Sequence, residues 1–212
     1  MTKQVSPRTC RGVWHKRRYT AFTLIELIVV FTIIIILAGL VLSTVGYARK
    51  KGARARAETE IAAISAACES YKADNGIYPT SADTNSLDPK TNGNPGSTPC
   101  PSPCPDPGAV TAYSQTSLFL YTQLSGMNPD GTPIAGARSY FSFKPNMLSP
   151  RQSLPITAIL DPFGYSYGYS TAQASNPGGA AGYNPTFDLW STAGLTSSPP
   201  SAADQNQWIK NW

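Results

Sequence analysis

Histidine is nearly absent from this chain: one residue in 212, His15. Everything downstream of it lacks the base of a Ser-His-Asp or Cys-His arrangement and the commonest nitrogen ligand of zinc. Acids are missing from the first 21 residues, which carry Lys3, Arg8, Arg11, Lys16, Arg17 and Arg18 beside His15. From Phe22 onward 11 basic residues stand against 12 acids, so the formal charge of +5 belongs to the N-terminal segment. Nucleic-acid binding by a basic surface is therefore poorly supported. Between Phe22 and Val45 charge is missing altogether, save one residue, Glu26.

That uncharged run covers residues 22–45, and at 1.5 Å per residue it reaches about 36 Å, enough to span a bilayer with some tilt. Basic residues followed by an apolar run resemble a targeting segment, but the run outlasts a secretory signal. Hydropathy alone reads it as a plain anchor. Arg49, Lys50, Lys51, Arg54 and Arg56 follow the run as the leader's basic residues precede it, so charge asymmetry does not set an orientation. Gly39 and Gly46, seven residues apart, permit close helix approach or local melting, or are simply tolerated in a membrane helix. Glu26 is the feature a plain anchor does not explain. An ionised side chain in a bilayer costs roughly 2.5–3.5 kcal/mol on insertion scales, so a lone acid there points to function.

Helix formers continue past the apolar run, through residues 53–73 (ARARAETEIAAISAACESYKA). Ile61, Ile64, Cys68 and Tyr71 recur at three and four residues and form one apolar stripe, which needs a sheet to cover it. Asn75-Gly76 stops the helix and Pro79 prevents its resumption, giving one helix of about fifty residues. Residues 82–110 hold seven prolines among many Ser, Thr and Asn, a composition suited to a surface insertion. A shorter helix is expected over 117–126, where Leu118, Tyr121 and Leu124 are spaced by three. Aromatic and β-branched segments at 139–143, 156–160, 165–170 and 187–191 are expected to be short antiparallel strands. The fold class is α+β, with a long N-terminal helix lying against a small sheet.

Four cysteines are present, of which Cys10 lies in the leader and Cys68 on the helix stripe. If the globular part is extracytoplasmic a disulfide is permitted, and Cys100–Cys104 in CPSPC is the first candidate, leaving Cys68 as a small buried thiol. Asp161 and Asp188 could in principle form a glycosidase-like carboxylate pair, but their turn and strand-end positions favour structural capping. Nothing else offers catalytic chemistry, and no enzyme activity is expected.

The stretch Ala21-Phe22-Thr23-Leu24-Ile25-Glu26 resembles the processing site of type IV pilins and type II secretion pseudopilins. The resemblance implies cleavage between Ala21 and Phe22 by a prepilin peptidase, N-methylation of Phe22, and an acid at the fifth position of the mature chain, where Glu26 stands. Ala21 replaces the family's usual glycine, one methyl larger and compatible with cleavage. Three further segments resemble the major pseudopilins of type II secretion: YKADNGIYPTS (71–81), DPFGYSYGYS (161–170) and FDLWSTAG (187–194), with a faint terminal match in ADQNQWIKNW. The implied fold is pilin-like, with a Pro-rich insertion. Its expected parts are a cleaved leader (1–21), a transmembrane and assembly half-helix (22–48), an amphipathic half-helix (49–81), the insertion (82–116) and a head of short helix and antiparallel sheet (117–212).

The implied function is a subunit of a helical filament built from copies of this chain. Cleavage frees the Phe22 amine, and the Glu26 of a neighbouring subunit pairs with it. The implied partners are the prepilin peptidase/methylase, minor pseudopilins, an inner-membrane assembly platform and the membrane itself. The implied location is the bacterial inner membrane, single-pass, with an extracytoplasmic head and a filament in the periplasm or at the cell surface. Relatives of this kind bind calcium in the loop after the Asp-x-x-Ser strand. Here that loop reads STAGLTSSPPSAADQ, with Asp204 as the only corresponding acid, whereas calcium takes six to eight oxygens. No cofactor is expected, and calcium at Asp204 is the one candidate. A type IV pilus subunit is the first alternative, and a singly anchored binding or hydrolytic domain the second.

Overall fold

The computed structural model describes residues 23–93, 95, 112–150, 153–197 and 199–212. The chain divides into two compact units, Met1–Gly46 and Tyr47–Trp212, each considered by itself. The first helix, α1 (Leu24–Asn75), runs 52 residues, matching the length expected from periodicity and helix formers.

In the first unit α1 starts at a capping box. Thr23 Oγ1 accepts from the Glu26 amide at 3.3 Å, and Glu26 Oε2 accepts from the Thr23 amide at 2.8 Å. Two of the amides left unpaired at a helix start are thereby satisfied. From Leu24 to Leu40 the large apolar side chains are 51–76% exposed, on every side of the helix. Thr32 Oγ1, the one hydroxyl of that stretch, is satisfied within the helix, donating to the Ile28 carbonyl at 2.8 Å.

In the second unit the expected stripe is buried: Ile61, Ile64 and Cys68, completed by Ala57 and Ala67, with Tyr71 half-buried beside them. Gly76 ends α1 at φ +80°, its amide donating to the Lys72 carbonyl at 2.7 Å, a left-handed stop that costs other residues strain. The stripe shares one core with Leu120 and Leu124 of α3 (Ala112–Ser125) and with Ile159, Tyr167, Tyr169, Leu189 and Ile209 of the strands. It is thus covered by a helix as well as by the expected sheet. Helix α3 begins five residues before the 117–126 expected for it, and its added turn brings Tyr113 into the interior.

The main sheet has the order β3-β4-β5 and is antiparallel: β3 (Gly168–Ser170), β4 (Asp188–Ser191) and β5 (Ile209–Lys210). Gly168 faces Trp190 and Ser170 faces Asp188 across the first pair, and Ser191 faces Ile209 across the second. A second antiparallel pair joins β1 (Leu148–Ser149) to β2 (Ala158–Ile159). The Tyr167 amide donates to the Ile159 carbonyl at 3.0 Å, linking β2 to the chain entering β3. All four residues of β4 are buried, so both faces of the sheet are covered. Leu189 joins the α1 core, while Trp190 joins a second cluster with Leu87, Tyr113 and Trp208.

The strand expected over 139–143 does not form. The amides of Tyr140 and Phe141 both donate to the Leu124 carbonyl, at 2.7 and 3.0 Å, so this segment satisfies an otherwise unpaired carbonyl of the last turn of α3. Its alternating aromatics pack at the core edge, Phe141 on Phe143 and Phe143 on Tyr121. Residues 94 and 96–111 of the expected insertion lie outside the described residues. At its described ends stand α2 (Ala82–Ser86), whose Thr84 is buried, and the buried Leu87 and Tyr113. Two further short helices, α4 (Ala172–Ser175) and α5 (Ala202–Gln205), follow β3 and β4.

Candidate assembly site

Of the expected processing and assembly residues, Ala21 and Phe22 lie outside the described residues, and Glu26 is the one whose surroundings are visible. Glu26 Oε2 accepts from both the amide and the hydroxyl of Thr23, each at 2.8 Å. Among the described residues no cation pairs with it. Position 23 is therefore a member of the site that the reading for charge and apolarity passed over. Its signal was present in the sequence, because Thr-x-x-Glu ahead of an apolar run is the capping-box pattern.

The surroundings of Glu26 define what the site can do. Every neighbouring large side chain on the helix is apolar and solvent-facing, and α1 is the one described helix long and apolar enough to cross a membrane. A helix apolar on all sides is covered either by lipid or by other helices. In both settings the carboxylate is the only fixed charge available to recognise a cation. At Gly39 and Gly46 an added Cβ would meet nothing within 4 Å, so no contact among the described residues demands glycine there.

The other candidate carboxylates are committed to the head's own architecture. Asp161 Oδ1 accepts from the amides of Phe163 and Tyr165, each at 2.9 Å, and Oδ2 accepts from the Ser191 hydroxyl. Burial pushes its pKa up to about 6, with the Ser191 hydrogen bond and the turn amides opposing that shift. Asp188 accepts from the amides of Tyr183 and Asn184, each at 2.8 Å, and burial raises its pKa as well. Both side chains are 1% exposed, so each is a buried cap that ties a turn to the sheet rather than a reachable acid or base.

Asp204 sits at the third position of α5, where its Oδ2 accepts from Ser197 Oγ at 2.7 Å and Ser201 Oγ at 2.6 Å. These bonds hold its carboxyl below the usual range, that of Ser201 contributing most. Among the described residues no group of three or more metal-ligating side chains comes together. Asp204 as it stands is a helix cap, and the residues around it do not fit a calcium site. Cys68 is free and buried, with its thiol pKa raised by burial, while Cys100 and Cys104 lie outside the described residues.

A family model described as the prokaryotic N-terminal methylation motif matches residues 16–42, the segment that holds Phe22, Thr23 and Glu26. The type II secretion system core protein G of Aeromonas hydrophila is 42% identical over 65 residues, covering 31% of this chain and 46% of that protein. The protein of the same name from Vibrio cholerae serotype O1 is 41% identical over 64 residues, covering 30% of this chain and 44% of its own. The chain thus spans somewhat less than half the length of the curated relatives it matches, and the similarity lies in the N-terminal part. No solved structure matches.

Proposed function

We propose that this chain is a structural, non-enzymatic subunit of a membrane-assembled helical filament, the major pseudopilin of a type II secretion system. A prepilin peptidase removes residues 1–21 and methylates the new Phe22 terminus. The apolar half of α1 holds the subunit in the inner membrane with the head outside the cytoplasm. Glu26 then accepts the Phe22 amine of a neighbouring copy as subunits add to the fibre, in contact with minor pseudopilins and an assembly platform. One observation carries this reading: the only charge on the apolar, exposed half of α1 is Glu26, the fifth residue counted from Phe22 and inside the segment that the methylation motif matches, and it has no cationic partner among the described residues. An unprocessed chain presents an amide at Phe22 in place of an ammonium, so cleavage switches the docking cation on.

The similarity to two secretion core proteins supports the secretion fibre over the type IV pilus, which shares the same processing motif. The reading is tested by the N-terminal mass of the protein extracted from membranes. A chain beginning with N-methylated Phe22 is the expected result. Functional protein that retains Met1 returns the segment to a plain anchor.

A further inference from the structure

The loop after β4 closes on itself through side chains that leave little for a metal to bind. At its α5 end, Asp204 Oδ2 takes hydrogens from Ser197 Oγ, Ser201 Oγ and the Ser201 amide, at 2.7, 2.6 and 3.2 Å. Ser201 Oγ in turn accepts from the Asp204 amide at 3.1 Å. At its β5 end, two carbonyls of the kind that suit a hard cation already face a guanidinium. Arg54 Nη1 donates to the Gln207 carbonyl at 2.7 Å, and Arg54 Nη2 points at the Trp208 carbonyl at 3.4 Å. Glu58, one turn along α1, flanks the guanidinium at 3.7 Å. Between the two ends Gln205 bridges outward, accepting from Tyr183 Oη at 2.7 Å and donating to the Pro89 carbonyl at 3.4 Å.

Calcium needs six to eight oxygens whose lone pairs converge, usually with more than one carboxylate. Here the loop itself brings one carboxylate, Asp204, whose Oδ2 is surrounded by hydrogens, and the Gln207 and Trp208 carbonyls face a guanidinium. A guanidinium is always charged and presents donors in a fixed planar fork, so it can hold neighbouring carbonyls as an ion does, without dissociating.

We infer that Arg54 is the built-in cation of the C-terminal loop: together with the Ser197–Ser201–Asp204 cap it closes the head onto α1 without calcium. This inference is independent of the assembly reading, because it concerns contacts within the head alone. The test is thermal unfolding of the full chain in detergent, followed by tryptophan fluorescence, in EGTA and in millimolar calcium chloride. The parent chain is expected to unfold at the same midpoint in both. Arg54→Met is expected to lower that midpoint by about 3–6 °C in both buffers. Arg54→Lys, which keeps the charge but not the fork, is expected to lose part of that shift. A midpoint that rises with calcium in the parent, or that calcium restores in Arg54→Met, overturns the inference. So does an Arg54→Met midpoint equal to the parent's. Should Arg54→Met not fold, the parent and Arg54→Lys in the two buffers decide alone.

Discussion

Replacing Gly168 by alanine tests whether the Trp190 cluster is packed as the sheet register requires. A Cβ added at Gly168 would lie 2.7 Å from Trp190 Cδ2 and closer still to Cε2 and Cζ2, whereas ordinary carbon contacts settle near 3.5–4.0 Å. The ring has no easy retreat. It is fully buried, its Nε1 donates to Tyr113 Oη at 3.0 Å, and that hydroxyl donates in turn to the Asn92 carbonyl at 2.7 Å. Tyr113 stands edge-on at 5.4 Å, Trp208 is stacked at 6.1 Å and Trp212 lies edge-on at 5.8 Å between ring centroids. Overpacking of this kind costs about 1–3 kcal/mol, and the clash with a boxed ring belongs at the upper end. Alanine recovers roughly 0.5–1 kcal/mol of the backbone entropy that glycine loses in a strand. The net loss is therefore about 2 kcal/mol, or about 4–8 °C in the unfolding midpoint for a chain of this size. Thermal unfolding read by near-ultraviolet circular dichroism of the tryptophans measures it, with Gly178→Ala, where an added Cβ meets nothing within 4 Å, as the control. Equal midpoints for the two variants would refute the packing described for β3 and β4.

Two further perturbations act on the same head. Asp161 has its pKa raised from 3.8 to about 6 on folding, so the folded state holds the proton more tightly, and stability is expected to fall as pH rises from about 4 to 6 and to level off above. The raised shift corresponds to about 3 kcal/mol, and Asp188 adds in the same direction. Denaturant unfolding at a series of pH values measures the slope, which Asp161→Asn is expected to flatten. Ile64→Ala removes a fully buried side chain from the centre of the α1 stripe and is expected to cost about 2–5 kcal/mol in the same assay. A loss well under 1 kcal/mol there would mean that α1 is not the wall of the head's core.

The long helix was readable from two different signals in succession: an apolar run broken only by Glu26, then Ile61, Ile64 and Cys68 at helical spacing. The short strands were harder. β1 and β5 have two residues each, too few to show alternation, and 139–143 alternates like a strand while its amides serve the end of α3. The turn at Asp161 was legible as a local pattern, but its bond to Ser191, 30 residues away, is a product of the folded sheet. Trp190 reads as an ordinary strand aromatic. Only the register opposite Gly168 explains why a glycine stands in β3, although a glycine inside a strand pattern is a known sign of close approach. At the candidate site Glu26 announced itself by being alone, whereas Thr23 was hidden by its ordinariness.

The central claim, that a lone carboxylate on an apolar helix docks the amine of the next subunit, is tested most directly by Glu26→Gln. Glutamine can still complete the capping box with Thr23, so the start of α1 is kept and only the charge is removed. The measurement is the yield of filament in cells, with N-methylated Phe22 confirmed by mass spectrometry so that processing is shown to be intact. Processed, membrane-inserted subunits that assemble little or no filament are the expected result, and normal filament yield from the Glu26→Gln chain would contradict the account.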